Sequence, residues 1–385
     1  MHGYVARQAA ARQHVGDGHR AVEEMELTMH APDARFWQAR RVLVTGHTGF
    51  KGSWLSLWLQ SLGAQVHGLA LEPPSRPSLF ETARVAQRMS STIGDIRDYD
   101  VVRRTIADCR PEVVIHLAAQ PLVRASYADP LSTYGTNVMG TANLLEALRR
   151  AGCARAVVNV TTDKCYENRD WLWGYRENDA LGGHDPYSSS KACSELVSSA
   201  YRRSFFAQGA TALASARAGN VIGGGDWAAE RLVPDVLAAF ASGRPAVIRH
   251  PHAVRPWQHV LDSLSGYLRL AERLHADGQA WAEAWNFGPD DAQARTVEWV
   301  VSRMARIWGG DVRWHPDSAD HPHEAAQLKL DSSKAKARLG WRPRWSLARA
   351  LECTIAWHRA WLAREDMRAV CIEQIAEFDT SPDPT

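Results

Sequence analysis

No apolar run in this 385-residue sequence approaches the roughly twenty residues that span a bilayer, and its N-terminus carries no signal-peptide core. No membrane partner is expected. Neither sign of charge is in excess: 45 basic side chains stand against 43 acidic ones, and a formal net charge of +2 leaves no electrostatic footprint for nucleic acid. Cysteine is sparse. Cys109, Cys153, Cys165, Cys193, Cys353 and Cys371 form no C-x-x-C pair and join no histidine cluster, which argues against a disulfide framework and structural zinc; no metal site is expected. Such thiols suit a reducing compartment, so the cytoplasm is the expected location. At 45% hydrophobic and 23% charged, the composition is that of a soluble globular chain, long enough for one large domain or two joined ones. Tryptophan alone stands out, with sixteen residues; Trp54, Trp58, Trp308, Trp341 and Trp345 lie among apolar neighbours and read as core.

The feature that organises the rest is an apolar strand, Val42 to Thr45, that breaks into Gly46, Gly49 and Gly52 and restarts as a helix. Small residues there let backbone N–H groups and a helix N-terminus face a pyrophosphate. The G-x-x-G-x-x-G spacing is weak by itself. Its context strengthens it, because Trp54, Leu55, Leu57, Trp58, Leu59 and Leu62 follow at helical spacing and Gln65 to Leu71 reads as a second strand, completing a βαβ unit. Glu72, twenty positions after Gly52, stands where a carboxylate grips ribose hydroxyls and repels a 2′-phosphate, so NAD is expected over NADP, an inference that nearby Arg76 weakens. A third strand, Met89 to Ile93, ends at Gly94-Asp95-Ile96, where Asp95 could accept from an adenine amine; Asp98 reads as a helix cap.

Two further strand ends carry chemistry. Val113 to Leu117 opens into Ala118-Ala119-Gln120, small residues that admit a ligand at the carboxyl edge of a parallel sheet. A long helix from about 130 to 150 follows, with Asn137 as a lone polar residue. Ala156 to Val160 runs into Thr161-Thr162-Asp163-Lys164-Cys165-Tyr166, a hydroxyl, an acid and an amine at one strand tip. A helix then starts at Asp185-Pro186 and runs to about Phe206. On it Tyr187 and Lys191 share a face, and an ammonium beside a phenol would draw its pKa of about 10 toward neutrality.

After a sixth strand, Thr211 to Ala216, the strand and helix alternation loosens. The expected architecture is α/β, a Rossmann-type doubly wound parallel sheet with a smaller C-terminal substrate-binding lobe. The segments read as an N-terminal arm over 1–37, expected to be disordered; an NAD-binding domain over 38–217 with 245–285 partly interlaced; a substrate lobe mainly over 218–375; and a tail over 376–385. Met25 and Met29 suggest that translation starts at one of them and that residues 1–28 are dispensable. Arg217, Arg231, Arg249 and Arg255 are grouped as candidates for a diphosphate, since guanidinium matches phosphate bidentately.

Thr-Gly-x-x-Gly-Phe-x-Gly at 45–52, His-Leu-Ala-Ala at 116–119, the strand-tip Thr162 and Tyr187-x-x-x-Lys191 together resemble the extended short-chain dehydrogenase/reductase family, in its nucleotide-sugar branch, over about 38–370. The runs 46–55, 161–168 and 186–191 are most similar to those of its 4,6-dehydratases. The resemblance implies that Gly46, Thr48, Gly49, Phe50, Lys51, Gly52, Glu72, Asp95, Ile96, Ala118, Ala119, Tyr187 and Lys191 hold NAD. It implies that Arg124, Asn220, Arg231 and Arg255 contact the nucleotide-sugar substrate. Catalysis would fall to Tyr187, assisted by Thr162 and Lys191, as the base at the sugar 4-hydroxyl, and to Asp163 as the acid for the departing 6-hydroxyl. Lys164 stands where the dTDP-sugar enzymes of the family carry a Glu as C5 base, which leaves that role to be assigned. The family also implies pairing through two long helices, 130–150 and 187–206, as a homodimer, with a tetramer open. The rival readings are a 4-epimerase, which needs no acid and base for elimination, and a non-catalytic NAD-sensing protein, which would not need Thr162, Tyr187 and Lys191.

Overall fold

The computed structural model describes residues 31–319 and 327–382. The proposed start at Met25 or Met29 and the last three residues of the tail lie outside them. Six strands appear in the order anticipated: β1 (Arg41–Thr45), β2 (Gln65–Ala70), β3 (Ser90–Ile93), β4 (Val113–His116), β5 (Ala156–Val160) and β6 (Ala212–Ala218). A seventh, β7 (Ala284–Phe287), comes from far along the chain and pairs in parallel with β6, Trp285 against Ala216. The sheet order is β7-β6-β5-β4-β1-β2-β3, every pairing parallel.

This order explains why the strands read as continuous apolar runs. β4, β5 and β6 are buried along their whole length because helices cover both faces. On one face α1 (Phe50–Ser61) packs with α6 (Val260–Asp277), around a core of Trp54, Trp58, Leu264, Tyr267 and Trp285. On the other lie α2 (Tyr99–Cys109), α3 (Gly140–Ala151) and the end of α4 (Pro186–Tyr201), enclosing Leu43, Ile106, Val114, Leu144 and Leu148. Between β1 and β4 the winding reverses, and the crevice at their carboxyl ends is where open α/β sheets bind ligands.

A second apolar cluster, with Val236, Phe240, Val300, Met304, Leu351 and Ile355, joins α5 (Leu232–Ala241), α7 (Val297–Trp308) and α8 (Leu347–Leu362) beside the sheet edge. α9 (Met367–Thr380) returns to pack on α1, its Phe378 edge-on to Trp58. No helix among the described residues is long and apolar enough to cross a membrane, and the six cysteines are free thiols.

Several local expectations are corrected. The arm is folded by residue 34: Ala34–Trp37 is helical, Asp33 caps it, and Trp37 is fully buried with its indole N–H donating to Glu272 at 2.6 Å. The helix expected over 130–150 is continuous from Pro130 to Ala151 and carries a π-helical turn at Gly135–Met139. Asn137 sits in that turn, where it accepts from Gln120 N and donates to Ser190 Oγ at 2.8 Å, a buried polar contact. Asp98 caps α2 as expected.

Candidate active site

The loop from β1 to α1 has geometry that demands glycine. Gly46 has φ of +77°, and a Cβ there would lie 2.7 Å from Ala118 N; a Cβ on Gly52 would lie 2.1 Å from Gly46 O. The chain is thus drawn against itself, leaving the N-terminus of α1 open to a cavity of about 900 Å³. Glu72, Asp95 and Ile96, then Ala118 and Ala119 after β4, and Arg124, Asn220, Arg231, Arg249 and Arg255 all line it. A glycine cradle, a carboxylate twenty residues on and a large cavity at the carboxyl ends of the strands fit a dinucleotide. Asp95 is partly committed already, since Arg97 grips its carboxylate at 2.6 and 2.8 Å.

The strand-tip residues converge on the same cavity. Thr162, two residues past the end of β5, is in extended backbone and caps a short turn, Asp163–Cys165, its hydroxyl accepting from Lys164 N. That hydroxyl donates to Asp163 Oδ1 at 3.0 Å, while Oδ2 is buried without a hydrogen-bond partner among the described residues. Burial raises the Asp163 pKa, against the opposing pull of Lys164, Thr162 and Arg255. Asp185 caps α4 through Ser188 N, with Pro186 in the first turn, and so aims Tyr187 and Lys191 at the strand tip. Thr162, Asp163, Lys164, Tyr187 and Lys191 all line the cavity.

The electrostatics differ from the simple phenol and ammonium pair. Burial pushes the Tyr187 phenol up to about 12, and the opposing groups are Thr162, by hydrogen bond, and Arg231. Lys191 instead donates to Val160 O at 3.1 Å, and burial brings its ammonium down to about 8. That hydrogen bond ties α4 to the end of β5.

Of the grouped arginines, Arg217 is corrected. It lies outside the cavity, pairing with Glu195 at 2.9 and 3.0 Å with both side chains almost fully buried. Glu195 also accepts from Thr161 at 2.5 Å and Ser215 at 2.6 Å, and Arg217 Nη1 donates to Tyr166 Oη at 2.7 Å. Sequence reading missed Glu195, although it is one helical turn beyond Lys191 and its repeat was the available signal. Arg231 pairs with Asp226 at 2.9 Å, and Arg124 with Glu230 at 2.8 Å, at the cavity rim. Among the described residues no cluster of His, Cys, Asp or Glu could hold a metal ion.

A family model described as GDP-mannose 4,6 dehydratase matches residues 43–354. CDP-glucose 4,6-dehydratase of Salmonella typhimurium is 55% identical over 351 residues, covering 90% of this chain and 98% of that one. dTDP-glucose 4,6-dehydratase of Streptomyces griseus is 30% identical, over 83% of this chain and 95% of its own length. Among solved structures, a dTDP-glucose 4,6-dehydratase from Streptomyces venezuelae with NAD and TYD bound superposes with a TM-score of 0.72 at 27% identity, covering 85% of this chain and 99% of that one.

Proposed function

From the premise that this chain belongs to the GDP-mannose 4,6-dehydratase family, within the extended short-chain dehydrogenase/reductases, we infer that it converts CDP-glucose to CDP-4-keto-6-deoxyglucose and water. It is an NAD-dependent hydro-lyase. The observation that carries the reading is the meeting of Thr162, Asp163, Lys164 and Tyr187 in the cavity that the glycine cradle opens. Thr162, Tyr187 and Lys191 line the cavity where NAD would be held, and there NAD would supply a hydride acceptor for C4, the donor that returns it to C6, and a positive charge that favours an ionised phenol.

The chain's own groups do the proton work. Tyr187 Oη, once ionised under the charge that a bound NAD⁺ would supply, takes the proton of the sugar 4-hydroxyl, with the Thr162 hydroxyl orienting both oxygens. The 4-ketone so formed acidifies C5–H. Asp163, whose burial favours the protonated form, donates from its unpartnered Oδ2 to the departing 6-hydroxyl. Lys164, at the border with a smaller cavity lined by Glu167, His184 and Asp185, serves the C5 step either as base or by stabilising the enolate. Asn220, Arg255, Arg231 and Arg124 receive the diphosphate side of the substrate.

Incubation with several nucleotide-diphosphoglucoses and mass analysis tests this reading. Loss of water from CDP-glucose supports it; an isomer of unchanged mass would mean a 4-epimerase, and no turnover with NAD bound would mean a sensing protein. The cytoplasm is the compartment that the free thiols favour. A homodimer is supported by exposed apolar side chains on the paired helices, Leu131, Met139, Leu196 and Phe205. Sedimentation at micromolar concentration, returning a monomer mass, would reject it.

A further inference from the structure

Beside the strand-tip turn lies a buried cluster to which the chemistry above gives no work. Thr161, Tyr166, Glu195 and Arg217 are each at most 5% exposed. Glu195 Oε1 accepts from Thr161 Oγ1 at 2.5 Å and Arg217 Nε at 2.9 Å, and its Oε2 accepts from Ser215 Oγ at 2.6 Å and Arg217 Nη2 at 3.0 Å. Arg217 Nη1 donates in turn to Tyr166 Oη at 2.7 Å, with the guanidinium 4.9 Å from that ring's centre, and Tyr166 Oη donates to Asn286 Oδ1 at 2.7 Å. An apolar pair of similar volume would often be as stable as a buried ion pair, so stability by itself does not account for this one.

The placement of the contacts along the chain supplies another reason. Thr161 immediately precedes, and Tyr166 immediately follows, the stretch Thr162-Asp163-Lys164-Cys165 that carries three of the reacting groups. Both ends of that stretch are fastened to one carboxylate and guanidinium couple. Glu195 stands on α4 one turn after Lys191 and two after Tyr187, so the three share a helix face. Lys191 adds a second tie from α4, to Val160 O at 3.1 Å. Arg217 and Ser215 stand on β6 and Asn286 on β7. The couple therefore joins the helix that bears the phenol to the turn that bears Thr162, Asp163 and Lys164. Paired guanidinium and carboxylate hydrogen bonds fix direction as well as distance, which an apolar contact does not.

We propose that Glu195 and Arg217 are positioning residues that hold the turn from Thr162 to Lys164 in register with Tyr187, so that groups from two separate segments reach the same sugar. Neither lines the cavity; they act through Thr161 at one end of the turn and Tyr166 at the other. A slip of about 1 Å in such a register costs about 10² in rate. The glycine cradle between β1 and α1 makes no contact with the couple, so cofactor affinity is not at stake. The inference rests on the dehydratase reading above, which puts the chemistry on these groups.

Turnover of CDP-glucose by the purified full chain, NADH affinity by fluorescence titration and urea unfolding test it together. Glu195→Gln keeps an acceptor for Thr161 and Arg217 Nε but leaves the guanidinium buried without its counter-charge; it should lose stability and hold kcat within about tenfold of the wild type. Glu195→Leu with Arg217→Met should be the more stable of the two and yet lower kcat by about 10², with KM and the NADH dissociation constant within about threefold of the wild type. Activity and stability then rank the variants in opposite orders. Activities that follow stability, a double variant with wild-type kcat, or a loss confined to KM or NADH affinity overturns the proposal. Should the double variant not fold, Thr161→Val and Tyr166→Phe decide, since each frees one end of the turn: a fall in kcat of about tenfold or more supports the assignment, and wild-type kcat in both rejects it. A wild type that removes water from none of the nucleotide-diphosphoglucoses overturns the dehydratase reading and this inference with it, whereas a dehydrating wild type beside unaffected variants overturns this inference alone.

Discussion

Arg217→Met would leave Glu195 as a buried carboxylate held by the Thr161 and Ser215 hydroxyls alone. The pair has side-chain exposures of only 4% and 3%, so solvent cannot step in for the lost guanidinium. Two charge-assisted hydrogen bonds disappear, at 2.9 and 3.0 Å. Breaking a buried pair by removing one partner costs about 3–5 kcal/mol, which is the expected loss of unfolding free energy near neutral pH. The pH course gives the argument its edge. Burial pushes the wild-type Glu195 carboxyl up, but Arg217, Ser215 and Thr161 outweigh it and hold the group below its ordinary value. Its contribution is therefore present above the ordinary carboxylate pKa, about 4.3, and is lost as pH falls below it. In the variant burial wins, the folded pKa rises, and the protonated acid escapes the penalty. The deficit should accordingly narrow as pH is lowered toward about 5. Replacing both residues, Glu195→Leu with Arg217→Met, should recover most of the loss, since a packed apolar pair is often as stable as an ionic one. Urea unfolding followed by tryptophan fluorescence at two pH values measures all three variants. A deficit under about 1 kcal/mol at neutral pH, or one that does not change with pH, would show that the pair does not act as a buried charge couple.

Three other perturbations separate the roles assigned in the cavity. Tyr187→Phe should lower kcat by about 10² to 10⁴ with NADH affinity kept, because the phenolic proton acceptor is lost and the cradle is untouched; a loss under tenfold would remove Tyr187 from the chemistry. Lys164→Met should still oxidise C4, seen as a nicotinamide absorbance transient near 340 nm, yet fail to exchange deuterium at C5. Wild-type exchange and turnover in that variant would end the assignment of Lys164 to elimination. Gly52→Ala places a Cβ 2.1 Å from Gly46 O and should abolish NADH binding with little loss of secondary structure by circular dichroism; wild-type affinity would mean that the loop is not the cofactor cradle.

Much of this molecule was legible because its signals are local. The glycines of the β1 to α1 loop, the Asp98 and Asp185 caps, and Tyr187 with Lys191 one turn apart depend on backbone geometry within a few residues. They stand where the sequence places them. The apolar runs of β4, β5 and β6 likewise betray strands covered on both faces. Arg217 and Arg231 show the limit, since both are arginines in the same stretch of chain. One faces Glu195, twenty-two positions earlier and on another element, and the other faces the cavity.

The amino-acid order alone determined the βαβ fingerprint, the cofactor class and the identity of the groups at each strand tip, because helix and strand periods and turn chemistry act over short distances. Tertiary structure decided which of those groups meet. It brought β7 from residue 284 to the sheet edge, turned Lys191 toward Val160 O and Lys51 toward Tyr267, and buried the Tyr187 phenol until its pKa rose. Desolvation and long-range pairing depend on what is packed overhead, and that is set by segments distant in the chain.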